Sequence, residues 1–194
     1  VRYYGENSAS GYAVGLDMKI NGEFVKGVDS WASLSIMRTQ EDLEDDDYYN
    51  SDGELVEQGY VPRPSDQLVT FGLFFQDYIP NHPSWKAHLS LMYGSGLPFG
   101  PPQHKHLRTA FRMPDYRRVD LGFSKEIISD LNKLGENNPL KMFKSLWLGL
   151  EVFNLLDIQN TISYLWITDI TERQLAVPNY LTSRRLNVKM ILKF

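Results

Sequence analysis

The sequence predicts an all-β fold, an antiparallel meander of about seven strands, most of them near the length that crosses a bilayer. Three observations carry that reading: a period of two in the apolar residues, connections that alternate between short and long, and no helical apolar run of membrane length. The chain has 194 residues, no cysteine, 13% aromatic residues and a formal net charge of -4. Without cysteine, a disulfide scaffold and a thiolate metal site are excluded. Mild acidity speaks against a nucleic-acid binder, which normally presents a basic face, and the aromatic and β-branched content speaks against disorder.

The strands follow in order. Tyr12, Val14, Leu16, Met18 and Ile20 alternate with small or polar residues, and Asn21-Gly22 then reads as a tight hairpin turn. Ala32, Leu34 and Ile36 form the second apolar column. Val69, Phe71, Leu73 and Phe75 form the third, and Trp85, Ala87, Leu89, Leu91 and Tyr93 the fourth, with a proline-containing turn over 78–84 between them. Val119, Leu121 and Phe123 follow, then Leu146, Leu148, Leu150 and Val152, and finally Leu186, Val188, Met190, Leu192 and Phe194. A tilted strand needs about 9–11 residues to span the hydrocarbon, and most of these columns are near that length. The expected facing places Leu121, Leu148, Leu150, Val188, Met190 and Leu192 on one side and Asp120, Glu151 and Lys189 on the other.

The connections differ by side. The longer ones are 39–65, about 95–115 and 157–183, with a polar stretch of intermediate length over 129–141. The first carries Glu41, Asp42, Glu44, Asp45, Asp46, Asp47, Asp52, Glu54 and Glu57 with no base before Pro62, so a long solvated excursion is expected there. Short turns at one end and long loops at the other are the pattern of membrane barrels. Trp85, Tyr93, Trp147 and Trp166 fall toward expected strand ends, as in interfacial girdles. A soluble β-sandwich, with its apolar side chains turned inward, is the alternative that alternation leaves open.

Several segments together resemble the C-terminal barrel of TonB-dependent outer-membrane receptors of the type abundant in Bacteroidetes. They are Gly96-Leu97-Pro98-Phe99-Gly100-Pro101-Pro102, the run from Arg112 to Asp120, Leu150-Glu151-Val152-Phe153-Asn154-Leu155-Leu156-Asp157, the run from Val177 to Arg184, and the terminal Lys193-Phe194. Within them Pro98, Arg118, Asp120, Asn154, Asp157 and Pro178 are the family-motif positions. The resemblance implies that residues 1–194 supply the last part of a 22-stranded barrel with long extracellular loops. It also implies a cell-outer-membrane location and energy-coupled uptake of a scarce or large nutrient: a siderophore, haem, cobalamin, peptide or glycan. Asn154 to Asp157 would mark the outer rim, and Leu186, Val188, Met190, Leu192 and Phe194 would form the signal read by the barrel-assembly machinery.

The chain departs from the family pattern in having no plug domain and no TonB box. It is therefore expected to be a fragment, beginning at a cut or processed end, whose open strand edges are completed by the rest of the barrel. Implied partners are outer-membrane lipid, the parent's remaining barrel and plug, and the TonB system through that plug; a lipoprotein lid is left open. No cofactor, no catalysis and no nucleic-acid partner are expected.

Four other constellations have blander readings. His104 and His106 could share a metal, but no nearby carboxylate or cysteine completes the set, so a solvated loop is the better reading. His88, Ser90 and Asp77 are not assembled by spacing into a nucleophile, base and orienting group. The acidic stretch fails the EF-hand pattern, since Gly53 would require an acid at Tyr48 and a glutamate at Gly59, although an irregular calcium cage needs no fixed motif. Arg117, Arg118, Asp120, Glu126 and Glu151 are read as pairing across strands on the polar face or at the rim.

Overall fold

The computed structural model describes residues 5, 8–102, 105–129, 142–181 and 183–194. It is all-β: β1 (Ala9–Val25), β2 (Val28–Leu43), β3 (Tyr48–Tyr49), β4 (Leu55–Val56), β5 (Val61–Pro62), β6 (Val69–Ile79) and β7 (His82–Gly94) make the first half. The second half is β8 (Pro98–Phe99), a 3₁₀ turn (Lys105–Leu107), β9 (Phe111–Arg112), β10 (Tyr116–Ile128), β11 (Ser145–Phe153), β12 (Thr161–Thr168), β13 (Gln174–Tyr180) and β14 (Arg185–Lys193). Seven long strands form one antiparallel sheet in the order β1-β2-β6-β7-β10-β11-β14, with the short β5 added to β2. Neighbours in this sheet follow one another along the chain, skipping only the small loop elements, so the meander expected from the alternating columns is present. No pairing among the described residues joins β1 to β14.

The sheet has two unlike ends. At one, β1 turns into β2 through Lys26-Gly27 and β6 into β7 through Pro80-Asn81. Gly27 (φ 82°) and Asn81 (φ 62°) take the left-handed conformation that such tight turns require. At the other end, residues 44–68, 95–115 and 154–184 make the long connections. We call these the turn end and the loop end.

One expectation about connections is corrected. Asn21-Gly22 is not the first hairpin turn: β1 continues through it, Gly22 pairs with Ser30, and a bulge precedes the closing pair Val25 and Val28. Continuing the strand satisfies backbone groups that a turn at Asn21-Gly22 would leave open, and Lys26-Gly27 supplies the positive φ instead. The long connection 157–183 carries its own hairpin, since β12 and β13 pair over most of it. In the acidic stretch, β2 extends to Leu43, so Glu41 and Asp42 lie on a strand opposite Gly11 and Ser10. Beyond it, β3 and β4 form a small hairpin. The polar connection 129–141 lies almost wholly outside the described residues.

The sheet buries few apolar side chains. Among the described residues the buried apolar side chains are few: Val28 and Ile128, each 4% exposed, together with Pro98 and Pro101. Buried polar and charged side chains outnumber them: Ser30, Thr39, Asp46, Asp66, Asp120, Glu151, Asn154 and Asn160. A sandwich would bury its apolar columns between two sheets. Here Leu16 is 57%, Leu150 51% and Val188 76% exposed.

Candidate functional site

The register sorts every long strand into two faces. On one, Leu16 faces Ile36, Ile36 faces Val69, and Leu34 faces Phe71. Leu73 faces Leu91, Leu91 faces Val119, and Leu89 faces Leu121. Phe123 faces Leu150, Leu150 faces Val188, and Leu148 faces Met190. The apolar columns therefore merge into one continuous surface across seven strands. Charges on it stand toward strand ends: Arg38, Asp42 and Arg117 toward the loop end, Asp77 and Lys125 toward the turn end. The Lys125 ammonium lies 4.9 Å from the Trp85 ring centroid. Leu121, Leu148, Leu150, Val188, Met190 and Leu192 share this face, and Asp120, Glu151 and Lys189 lie on the other, as the alternation anticipates.

Two tryptophans fall elsewhere than the girdle pattern expects. Trp147 lies on the polar face opposite Glu126 and Ile191. Trp166 belongs to the β12–β13 hairpin, where it and Tyr164 gather around Phe99 of β8; the Phe99 and Tyr164 rings stack at 4.3 Å. Phe99, the neighbour of Trp166, stands on a separate hairpin, which spacing along one strand cannot reveal.

At the loop end the motif residues come together as a structural knot. Asp120 Oδ1 accepts from Arg118 Nε at 2.7 Å and from the Asn154 backbone N–H at 2.8 Å. Asn154, at φ 53°, turns the chain out of β11, and its side chain exchanges two hydrogen bonds with the Ile158 backbone. Asp157 accepts from the Arg184 N–H at 2.8 Å, which ties the end of the β12–β13 excursion back to its start. Asn160 bridges the same region to β10 through both backbone groups of Arg117. Pro98 pairs with Arg112 in the β8–β9 hairpin, and Pro178 lies opposite Tyr164 in β13. Arg118, Asp120, Asn154 and Asp157 thus fix loop entry and exit.

A second knot was not visible in the sequence. Asp66, 1% exposed, accepts from the Thr39 N–H at 2.6 Å and pairs with the Arg112 guanidinium. Arg112 also donates to the carbonyls of Asp66 and Gly96. Gly96 is required there, since a Cβ would sit 1.7 Å from the Met113 carbonyl oxygen. Nearby, Asp115 accepts from the Tyr93 hydroxyl, the Gly96 N–H and Arg117. The Tyr93 hydroxyl, followed by those other donors, holds the Asp115 carboxyl below its ordinary value. Its contribution to loop order is therefore present above the ordinary carboxylate range and is lost as pH falls through the lowered value.

The polar face carries a cavity of about 320 Å³ toward the turn end, lined by Phe74, Gln76, Lys86, His88, Ser124, Trp147, Glu151, Lys189, Ile191 and Lys193. Glu151 is its acid: Asn187 donates to it at 2.9 Å, and His88 and Lys189 stand 3.7 and 3.9 Å away. The His88 ring covers Gly122, where a Cβ would fall 2.1 Å from it. Asp77, facing Ala87, is on the opposite side of the sheet from His88 and Ser90, so no hydrolytic triad forms from these three.

His104 lies outside the described residues. His106 stacks on Tyr48 at 4.2 Å, and its carbonyl accepts from Gln58 Nε2, joining two loops. No group of three or more His, Cys, Asp or Glu among the described residues is arranged to hold a metal ion. In the acidic stretch Asp46 is enclosed with one oxygen unpartnered. Its burial, then Asp42 and Asp47, push its carboxyl above the ordinary value. No protein-family model, curated protein or solved structure matches the chain.

Proposed function

We propose that this chain is a stretch of wall from an outer-membrane β-barrel, and that the whole barrel is a TonB-dependent receptor for energy-coupled uptake of a scarce or large nutrient. The observation that carries the membrane part is the seven-strand apolar face, exposed to its middle and charged only toward strand ends. Lipid is the solvent that such a face fits, because hydrocarbon costs it nothing while water penalises it by roughly 25 cal/mol per Å². The opposite face, with Glu151, Lys189, Asp120 and His88, suits an aqueous lumen. The receptor part rests on the sequence resemblance, in which Arg118, Asp120, Asn154 and Asp157 are rim residues. In this reading the chain itself performs no chemistry: it walls the passage, while a plug elsewhere in the parent would couple to TonB. The free edges of β1 and β14 would pair with the parent's other strands.

The orientation follows from the ends of the sheet, with the loop end outside the cell and the turn end in the periplasm. Protease added to intact cells should therefore nick the full-length protein between residues 44 and 68, at the exposed β3–β4 tip around Asp52-Gly53. Cleavage there only after the outer membrane is opened would invert the topology. Release of the protein into the soluble fraction without detergent would end the membrane reading altogether.

The chain end gives a separate check. Phe194 is 70% exposed and its ring lies 5.2 Å from that of Phe143 at the turn end. Full burial of such a side chain is worth about 1.5–3 kcal/mol, so its loss is small beside a closed barrel. Deleting Phe194 should lower the amount of inserted receptor while leaving the heat resistance of the inserted fraction near normal. Wild-type amounts of the shortened protein would remove the assembly-signal role.

A further inference from the structure

The cavity on the polar face is built from two cross-strand rows. One runs Tyr78, Lys86, Ser124, Gly149 and Lys189; the other runs Gln76, His88, Gly122, Glu151 and Asn187. In the first row two lysines flank a floor made of a hydroxyl and a glycine. Adjacent strands are about 4.8 Å apart, so three spacings separate the lysine backbones, a gap that two four-carbon arms can close. The Lys86 ammonium lies between the Tyr78 ring on β6 and the Trp147 ring on β11, 4.9 and 4.4 Å from their centroids, and the Lys189 ammonium stands 3.9 Å from Glu151 on β11.

Charge in the cavity does not balance. Lys86, Lys189 and Lys193 line it against the single acid Glu151, whose oxygens are already approached by Asn187, His88 and Lys189. Among the described residues neither Lys86 nor Lys193 has a carboxylate partner. Ser124 Oγ is left open at the floor because Gly149 has no side chain; a Cβ there would come within 2.8 Å of it. Phe74, Trp147 and Ile191 add apolar wall beside these donors.

We infer that this cavity binds a carboxylate carried on an aliphatic stem. The carboxylate lies between the Lys86 and Lys189 ammoniums with the Ser124 hydroxyl donating to it, and the stem lies against Trp147 and Ile191. Charge-assisted hydrogen bonds to an ionised acceptor are about twice as strong as neutral ones, and the apolar wall adds to them. Two sources present this chemistry: a free carboxylate ligand, or an aspartate or glutamate side chain from a segment of the full-length protein packed against the polar face. The inference stands on the polar face itself and not on membrane placement.

The test uses the full-length protein, in detergent if it needs one. Acylation rates of Lys86 and Lys189 are measured by mass spectrometry with and without hexanoate, with the exposed Lys26 as reference. A site for a free ligand gives slowing of Lys86 acylation, about tenfold at a hexanoate concentration ten times its Kd. Hexanol gives none, and Gly149→Ala, which closes the floor, or Lys189→Gln abolishes the protection of Lys86. A site filled from within gives a Lys86 that is slow without hexanoate. A zero-length carbodiimide then links Lys86, Lys189 or Lys193 to an aspartate or glutamate other than Glu151. Lys86 acylating as fast as Lys26 in both conditions, or slowly in both with no such cross-link, overturns the inference. A protein that proves soluble without detergent would sink the membrane reading and leave this readout intact.

Discussion

Replacing Leu150 by arginine should sharply reduce the amount of assembled full-length protein, whereas Asn187→Arg on the adjacent strand should be close to neutral. Leu150 lies between Phe123 and Val188 on the apolar face, away from the charged strand ends. In lipid a midplane arginine costs about 2–4 kcal/mol. Asn187 is on the other face and already bonds Glu151, so an arginine there gains a carboxylate partner. The contrast discriminates because Leu150 is 51% exposed in the chain. If that surface met water, arginine would be a solubilising change with an effect within about 0.5 kcal/mol, as for most surface substitutions. Urea titration of the protein refolded into lipid vesicles, with outer-membrane levels in cells, reads both variants. Equal behaviour of the two would mean that the faces are not solvated differently, and the barrel-wall reading would fall.

The seven long strands were legible because a sheet with one apolar and one polar face writes its period directly into the sequence. Columns such as Val69, Phe71, Leu73 and Phe75 need no tertiary information. The β12–β13 hairpin was missed because its alternation is short and broken. Leu165 and Ile167 face Val177 and Leu175 across a turn from Asp169 to Arg173, and Pro178 interrupts the second strand. A turn signal was present all the same: Asp169 accepts from the N–H groups of Thr171 and Arg173, a local pattern that Asp residues favour. The extension of β1 past Asn21-Gly22 shows the reverse failure, a strong local turn signal overridden by further pairing with β2. At the rim, the motif marked Arg118, Asp120, Asn154 and Asp157, but that Asp120 receives the Asn154 N–H is a contact between strands that no single-chain periodicity encodes. Asp66 illustrates this most strongly, standing just past the acidic stretch and taking its partners from Thr39 and from Arg112 on a different loop.

Substituting Asp66 by alanine should loosen the loop end while leaving the long strands in place. The buried carboxylate joins the end of β2 through Thr39, the start of β6 through its own backbone, and the β8–β9 hairpin through Arg112. Its removal leaves the Thr39 N–H without an acceptor in a site where Thr39 is only 4% exposed, a loss of about 1–3 kcal/mol. It also strips Arg112 of its anion. The Arg112 side chain is 34% exposed and keeps the carbonyls of Asp66 and Gly96, so water screens that loss to about 1 kcal/mol or less and the total is about 3 kcal/mol. The amide of Thr39 should therefore exchange about a hundredfold faster, since each 1.4 kcal/mol is a factor of ten. Protease sensitivity should rise between residues 44 and 68, while amides in the middle of β10 and β11 keep their protection because none of their ladder bonds involves Asp66. Asp66→Asn keeps the shape and one acceptor but loses the charge, so it should fall between wild type and alanine. Undiminished Thr39 protection in Asp66→Ala, measured by hydrogen exchange on the inserted protein, would show that the three loop segments are held together by something other than this carboxylate.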